Sequence, residues 1–117
     1  MRAWEVVKTK YGPIPKPKTV LLCPFCQMPL LLHHFNVYEQ VREGRRFYHC
    51  DCYVKCINCD WYTVFGIPLN EEEYKALRRS NLHGRLIFSD EVVQEVMRVW
   101  GVEERIVERR LRSLGYW

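Results

Sequence analysis

The spacing of apolar residues changes at Pro68, from the two-residue period of β-strands to the longer period of α-helices. Before that point, Glu43-Gly44 separates two strand-like stretches, which predicts a hairpin with a two-residue turn. In that register Val37 lies opposite Cys50. Shorter apolar runs on either side predict further strands. The predicted strands are residues 19–22, 31–42, 45–54 and 61–65.

The helical half carries three sets of start and stop signals. Asn70 followed by Glu73 is an N-cap with a carboxylate at the third helical position, and Gly84 supplies a stop. Ser89 caps a second helix and Gly101 ends it. These signals predict helices over residues 71–82, 90–100 and 103–114.

Two Cys-x-x-Cys turns, which we call the first and second knuckles, are the main candidate for chemistry. Each turn brings two sulfurs together, and two facing turns supply the four tetrahedral ligands of a structural zinc site. The four candidate ligands are Cys23, Cys26, Cys56 and Cys59. Because all four are thiolates, no position stays open for water, and we expect one structural Zn²⁺.

Two alternatives to zinc follow from the same four cysteines. One iron ion, held as in rubredoxin, also suits four sulfurs. Disulfides are the second alternative, but they are typical of secreted chains, and residues 1–20 lack the pattern of a signal peptide.

The order of knuckle, strands, second knuckle and strand resembles the zinc-ribbon family over roughly residues 19–67. The resemblance implies a small antiparallel zinc ribbon, which we assign to residues 19–68. Many zinc ribbons have glycine after the second cysteine of each pair, where the backbone turns left-handed. This chain has Gln27 and Asp60 there.

The segment 96–116 resembles the helix-turn-helix of DNA-binding regulators, with Gly101 and Val102 at the turn. The resemblance implies that the last helix lies in the major groove of double-stranded DNA, and that a homodimer can bind paired half-sites. The arginines that would then project outward to the DNA are Arg105, Arg109 and Arg112. The alternative for residues 69–117 is a helical appendage that packs against the ribbon or pairs with another copy.

The formal net charge is +4, and the basic excess lies towards the N-terminus. We expect residues 1–18 to form an extended, solvated, Pro-rich arm that follows a phosphate backbone. Its lysines are Lys8, Lys10, Lys16 and Lys18. An ordinary basic surface tail is the alternative. The chain as a whole is predicted to be α+β, an antiparallel zinc ribbon followed by a three-helix unit of helix-turn-helix type.

Two cysteines and four histidines lie outside the knuckles. Cys50 and Cys52 fall on one face of a predicted strand, whereas His33 and His34 fall on opposite faces. We expect the two thiols to belong to the core, because free cysteine is among the most buried residue types. A second metal site is the alternative, formed by His33, His49, Cys50 and Cys52.

These features favour a cytoplasmic DNA-binding regulator. The long apolar stretch 20–32 is interrupted by two prolines and is too short to span a bilayer, so no membrane association is expected. The sequence shows no Gly-rich phosphate loop and no nucleophile motif, so we expect neither an enzyme nor a small-molecule substrate.

Two other binding functions rest on aromatic residues. A zinc-stabilised adaptor would anchor a protein partner through tryptophans. An RNA-binding module would use basic and aromatic residues of the ribbon. The tryptophans are Trp4, Trp61 and Trp117. The residues proposed for RNA are Arg45, Arg46, Phe47, Tyr48, Trp61 and Tyr62.

Overall fold

A computed structural model describes residues 2–102, 104–113 and 115. The chain is α+β, as predicted, with two antiparallel sheets and three short helices among these residues. The strands are β1 (Trp4–Thr9), β2 (Gly12–Pro17), β3 (Leu30–Arg42), β4 (Arg45–Cys56) and β5 (Tyr62–Leu69). The helices are α1 (Glu71–Arg78), α2 (Asp90–Val99) and α3 (Glu104–Ser113).

The central sheet has the order β3-β4-β5. Glu43 and Gly44 both have positive φ, 51° and 77°, as the tight turn of a two-residue hairpin requires. Val37 pairs with Cys50, so the predicted register is confirmed. The pairing is irregular between Leu32 and His34, where an extra residue shifts the alternation of faces.

The two faces of this sheet differ in what covers them. One face packs against α1, α2 and the N-terminal hairpin, and its fully buried side chains include Phe35, Cys52 and Val54. The side chains of the other face are half-buried or exposed, and we call it the open face. The open face carries His34, Asn36, Tyr38, His49, Asp51, Tyr53, Tyr62 and Val64.

The expectation of a solvated arm at residues 1–18 was wrong. These residues form the hairpin β1-β2, and Ile14 is 0% exposed. The hairpin is fixed to the C-terminal half, because the indole Nε1 of Trp100 donates to the carbonyl of Pro15 at 3.1 Å. The backbone N–H of Lys10 donates to Glu95 Oε2 at 2.7 Å. Apolar residues alternating with lysine and proline were therefore a strand signal, not a coil signal.

The free edge of β3 is covered by the segment between α1 and α2. The N–H of Gly84 donates to the carbonyl of Phe35 at 2.9 Å, and the N–H of Ile87 donates to the carbonyl of His33 at 2.8 Å. His83 Nε2 accepts from the N–H of Val37 at 3.1 Å. Backbone groups that would otherwise lie unpaired at a sheet edge are thereby satisfied.

The first helix is shorter than predicted. Its Asn70–Glu73 capping box is present, but it ends at Arg78 instead of Leu82. The N–H of Asn81 donates to the carbonyl of Tyr11 in the β1-β2 turn at 3.2 Å, so a tertiary contact takes the place of the helical one. The second helix begins after its Ser89 cap, as predicted.

The helices do not form the three-helix unit that was predicted. Helix α1 packs on β2, β3, β4 and β5, whereas α2 packs on β1 and β3. Both helices thus pack mainly against strands instead of against one another. The turn after α2 is as expected: Gly101 has φ 74°, and the N–H of buried Val102 donates to the carbonyl of Met97 at 2.8 Å.

Within the described part of the chain, none of the helices combines the length and the apolar character needed to cross a membrane.

Candidate metal centre

The two knuckles bring four sulfurs together, and their ligand atoms all lie within 4.8 Å of one another. The Sγ atoms of Cys26 and Cys56 are 3.4 Å apart, and those of Cys23 and Cys59 are 3.6 Å apart. A tetrahedral zinc ion with four bonds to sulfur near 2.3 Å would hold its sulfurs about 3.8 Å apart. The side chains present therefore fit a single tetrahedral ion, as the sequence predicted.

Both knuckles are closed by the same backbone hydrogen bond. The N–H of Cys23 donates to the carbonyl of Met28 at 2.8 Å, and the N–H of Cys56 donates to the carbonyl of Trp61 at 2.9 Å. In each case the first cysteine bonds to the fifth residue after it, which bends the chain back on itself. The two turns therefore share one local backbone arrangement.

The knuckles differ at the residue after the second cysteine. Gln27 has φ 61° and so adopts the left-handed conformation that glycine usually supplies in zinc ribbons. Asp60 is not among the described residues with positive φ. Only the first knuckle therefore needs the left-handed residue.

Backbone N–H groups point at the sulfurs and favour thiolates. Desolvation raises the pKa of Cys23, but hydrogen bonds from the N–H groups of Cys26 and Phe25 oppose it, and the pKa falls to about 7. Cys56 Sγ accepts from the N–H groups of Asn58 and Cys59, both at 3.4 Å. Desolvation nevertheless raises the pKa of Cys56 to about 12. Metal binding must release the proton of this thiol.

Four protein sulfurs complete a tetrahedral shell, so the chemistry of this donor set is structural. The centre would join residues that are far apart in sequence and close the end of the sheet, since Cys56 ends β4. The ring of Phe25 in the first knuckle packs edge-on against Trp61, with centroids 6.0 Å apart, and adds an apolar contact between the knuckles.

The alternative of a second metal site is not supported. Across the described residues, the knuckle cysteines are the one group of three or more potential ligands within bonding range of a shared ion. Cys50 and Cys52 are buried core thiols with sulfurs 3.5 Å apart, as expected. His49 stacks on Tyr38 instead, with ring centroids 5.3 Å apart.

The prediction that His33 and His34 lie on opposite faces was wrong. Their Nδ1 atoms are 3.0 Å apart. The irregular pairing between Leu32 and His34 explains the difference, because simple alternation fails where a strand carries an extra residue.

The residues predicted to bind DNA lie at two separate places. Arg105, Arg109 and Arg112 are exposed on α3, and Arg112 lies 3.9 Å from Glu108. On the N-terminal hairpin, Lys8 pairs with Pro13 and Lys16 pairs with Glu5, so the two lysines lie on opposite faces. The ammonium of Lys16 is 3.5 Å from the carboxylate of Glu5. The remaining lysines, both exposed, are Lys10 and Lys18.

The aromatic residues considered for other partners are mostly engaged. Trp4 is half-buried between Phe65 and Trp100, with centroid distances of 5.6 and 6.0 Å. Trp61 is half-buried beside Phe25. Trp117 lies outside the described residues.

The residues considered for RNA divide between the two faces of the sheet. Tyr48 packs on Tyr74 of α1, with centroids 4.7 Å apart, whereas Tyr62 is on the open face. Arg45, Arg46 and Phe47 are exposed near the tip of the β3-β4 hairpin.

One feature was missed in the sequence. A cavity of about 390 Å³ lies on the sheet beside the second knuckle. Its lining includes His33, His34, Tyr53, Lys55, Asp60 and Tyr62. The neighbouring histidines were the available signal, but only the strand register shows that they meet Tyr53.

The chain matches no protein-family model, no curated protein and no solved structure. What can be said of its function therefore rests on its own residues.

Proposed function

We propose that this protein is a small DNA-binding transcription regulator in which one zinc ion is structural and α3 contacts duplex DNA. One observation carries the proposal: α3 presents Arg105, Arg109 and Arg112 at spacings of four and three residues, and all three are exposed. Residues at those spacings lie on one face of a helix. A guanidinium binds a phosphate or a guanine edge through two parallel hydrogen bonds.

The acidic residues of α3 reduce this basic character only in part. Glu108 lies 3.9 Å from Arg112, so its charge is opposed within the helix. Arg112 is therefore a weaker candidate for contact with DNA than Arg109.

The zinc centre supports α3 indirectly. Zinc would fix the end of the sheet, α2 packs on that sheet, and the turn at Gly101 connects α2 to α3. Val96 and Val102, on either side of that turn, are 1% and 0% exposed. Buried packing therefore continues from the sheet to the turn that precedes α3.

Lysines of the N-terminal hairpin are proposed to add phosphate contacts. Lys10 is the best placed, because its backbone N–H bonds to Glu95 of α2 and so keeps the β1-β2 turn beside that helix. Such contacts would position the protein without reading sequence. A homodimer that reads paired half-sites is part of the proposal, as is a cytoplasmic location, since six free cysteines suit a reducing compartment.

The proposal is tested by titrating the zinc-loaded protein into labelled random-sequence duplex DNA at about 50 and about 200 mM salt. The test variant is Arg105→Ala/Arg109→Ala. The matched control is Arg45→Ala/Arg46→Ala, which removes the same charge from the exposed hairpin tip. We expect the test variant to bind at least about tenfold more weakly and to lose about two units of salt slope, with the control unchanged.

Equal losses in both variants would contradict the assignment to α3, because any basic surface would then suffice. Full binding by the test variant would also contradict it. No binding at low salt would overturn DNA binding as a whole and favour the protein-interaction adaptor.

A further inference from the structure

The cavity beside the second knuckle has the size of a small-molecule site. Its volume of about 390 Å³ falls in the range of about 300 to 1,000 Å³ that such sites occupy. It lies where β3, β4 and the start of β5 meet, because Lys55 pairs with Tyr62 and His34 pairs with Tyr53. All four of these side chains line it.

The cavity offers flat aromatic surfaces. The rings of His34 and Tyr53 stack in parallel, with centroids 4.1 Å apart and planes 8° apart. Tyr62 also lines the cavity and is 70% exposed, so its ring is accessible to a ligand. Rings presented in this way stack on nucleobases, and such stacking tolerates any base.

The polar groups of the cavity complement the other parts of a nucleotide. Lys55 offers an ammonium to a phosphate, and the carboxylate of Asp60 accepts hydrogen bonds from an exocyclic amine or a sugar hydroxyl. The pKa of His34 is lowered, first by desolvation and then by the neighbouring charge of His33. The lowered pKa favours the neutral ring of His34, which is suited to stacking, and the ammonium of Lys55 supplies positive charge.

A second stacked pair continues the same surface. Tyr38 and His49 stack on the open face with planes 24° apart, four residues along β3 from His34. That separation corresponds to about 13 Å along a strand. Arg42 and Arg45 lie beyond it at the hairpin tip, and both are exposed. The open face thus carries two stacked aromatic pairs and two arginines at the hairpin tip. Proteins bind single-stranded nucleic acid with the same combination of aromatic rings and basic groups.

We propose that this cavity binds the base and phosphate of one unpaired nucleotide in single-stranded nucleic acid. The site is separate from α3 and does not depend on duplex binding there. A free mononucleotide has the same base and phosphate, so the experiment compares the two sources.

The zinc-loaded protein is titrated with adenosine 5′-monophosphate, adenosine, inorganic phosphate and an eight-residue oligodeoxyadenylate, with heat and aromatic NMR shifts as readouts. The monophosphate is expected to bind at least about tenfold more tightly than adenosine or phosphate alone, and to shift the signals of His34 and Tyr53. Tyr62→Ala and Lys55→Gln are each expected to weaken it about tenfold. Tyr38→Ala is the matched control for the mononucleotide, because it removes an exposed tyrosine of the same face outside the cavity.

The affinity for the oligonucleotide shows whether the cavity binds single-stranded nucleic acid or a free mononucleotide. Tighter binding than the monophosphate, weakened by Tyr62→Ala and also by Tyr38→Ala, supports the single strand. Binding no tighter than the monophosphate overturns the single strand and assigns the site to a free nucleotide. Unchanged binding by Tyr62→Ala would contradict the assignment of the binding site to this cavity. The absence of binding by every probe would contradict it as well.

The Arg105→Ala/Arg109→Ala variant separates this inference from the proposed function. It is expected to bind the oligonucleotide as the parent does while losing duplex DNA. Zinc content measured for every variant shows that the second knuckle next to Lys55 and Asp60 is intact.

Discussion

Two pairs of sulfurs lie equally close together in this protein, yet only one of them has the surroundings of a metal ligand set. Cys26 and Cys56 are 3.4 Å apart in the knuckles, and Cys50 and Cys52 are 3.5 Å apart on β4. Desolvation raises the pKa of Cys56, and hydrogen bonds from two backbone N–H groups oppose this rise in part. Around Cys52, desolvation and then the neighbouring Cys50 raise the pKa of the thiol above its ordinary range. Cys26 and Cys56 belong to a group of four potential ligands, whereas among the described residues no third ligand lies within bonding range of Cys50 and Cys52. Proximity of two thiols is thus insufficient, and the number of converging ligands distinguishes the metal centre from the buried pair.

The largest effect is expected from removing one thiol of the metal centre. Cys59→Ala leaves three ligands, and we expect zinc stoichiometry to fall far below one ion per chain. A structural zinc site contributes about 10 kcal/mol or more to folding, comparable to the whole stability of a domain. Atomic absorption and thermal unfolding measure both quantities. Retention of one tightly bound ion and an unchanged transition would show that the four sulfurs are not a unit.

A smaller effect is expected from the buried pair. Cys52→Ser places a hydroxyl where a thiol packs with 0% exposure, which costs about 1 to 3 kcal/mol of the free energy of unfolding. Zinc stoichiometry is expected to remain at one, since Cys52 is outside the knuckles. Denaturant unfolding and metal analysis on the same sample check this. A drop in zinc content would mean that the two cysteine regions are coupled.

The smallest effect compares the two knuckles with each other. Gln27→Gly relieves a left-handed residue at φ 61° and is expected to raise stability by up to about 1 kcal/mol. Asp60→Gly, at the equivalent position without positive φ, is expected to lower it by about 0.5 to 1 kcal/mol, because glycine loses more conformational freedom on folding. Denaturant midpoints of the two zinc-loaded variants give the difference. Changes of the same sign would show that the knuckles share one backbone requirement.

Local signals in the sequence predicted the metal centre and the central hairpin. A Cys-x-x-Cys turn places its sulfurs through a bond within a few residues, and Glu43-Gly44 fixes its own turn. Both features are short-range, so the sequence alone contains the information.

Features that depend on distant contacts were not predicted. The N-terminal hairpin is held by Glu95 of α2 and by Trp100, the residue that follows α2. Helix α1 ends early because Asn81 bonds to Tyr11. The cavity at His34 depends on a bulge, which alternation cannot show. In each case the deciding partner lies on another element of the fold.

The hydrogen bond between Trp100 and Pro15 has a consequence for synthesis on the ribosome. The N-terminal hairpin is synthesised before α2, and Trp100 lies 85 residues after Pro15 in the chain. Contacts at such separation form late, because the intervening chain must be present and ordered first. Ile14 and its neighbours therefore stay unprotected until the central sheet and α2 have been synthesised.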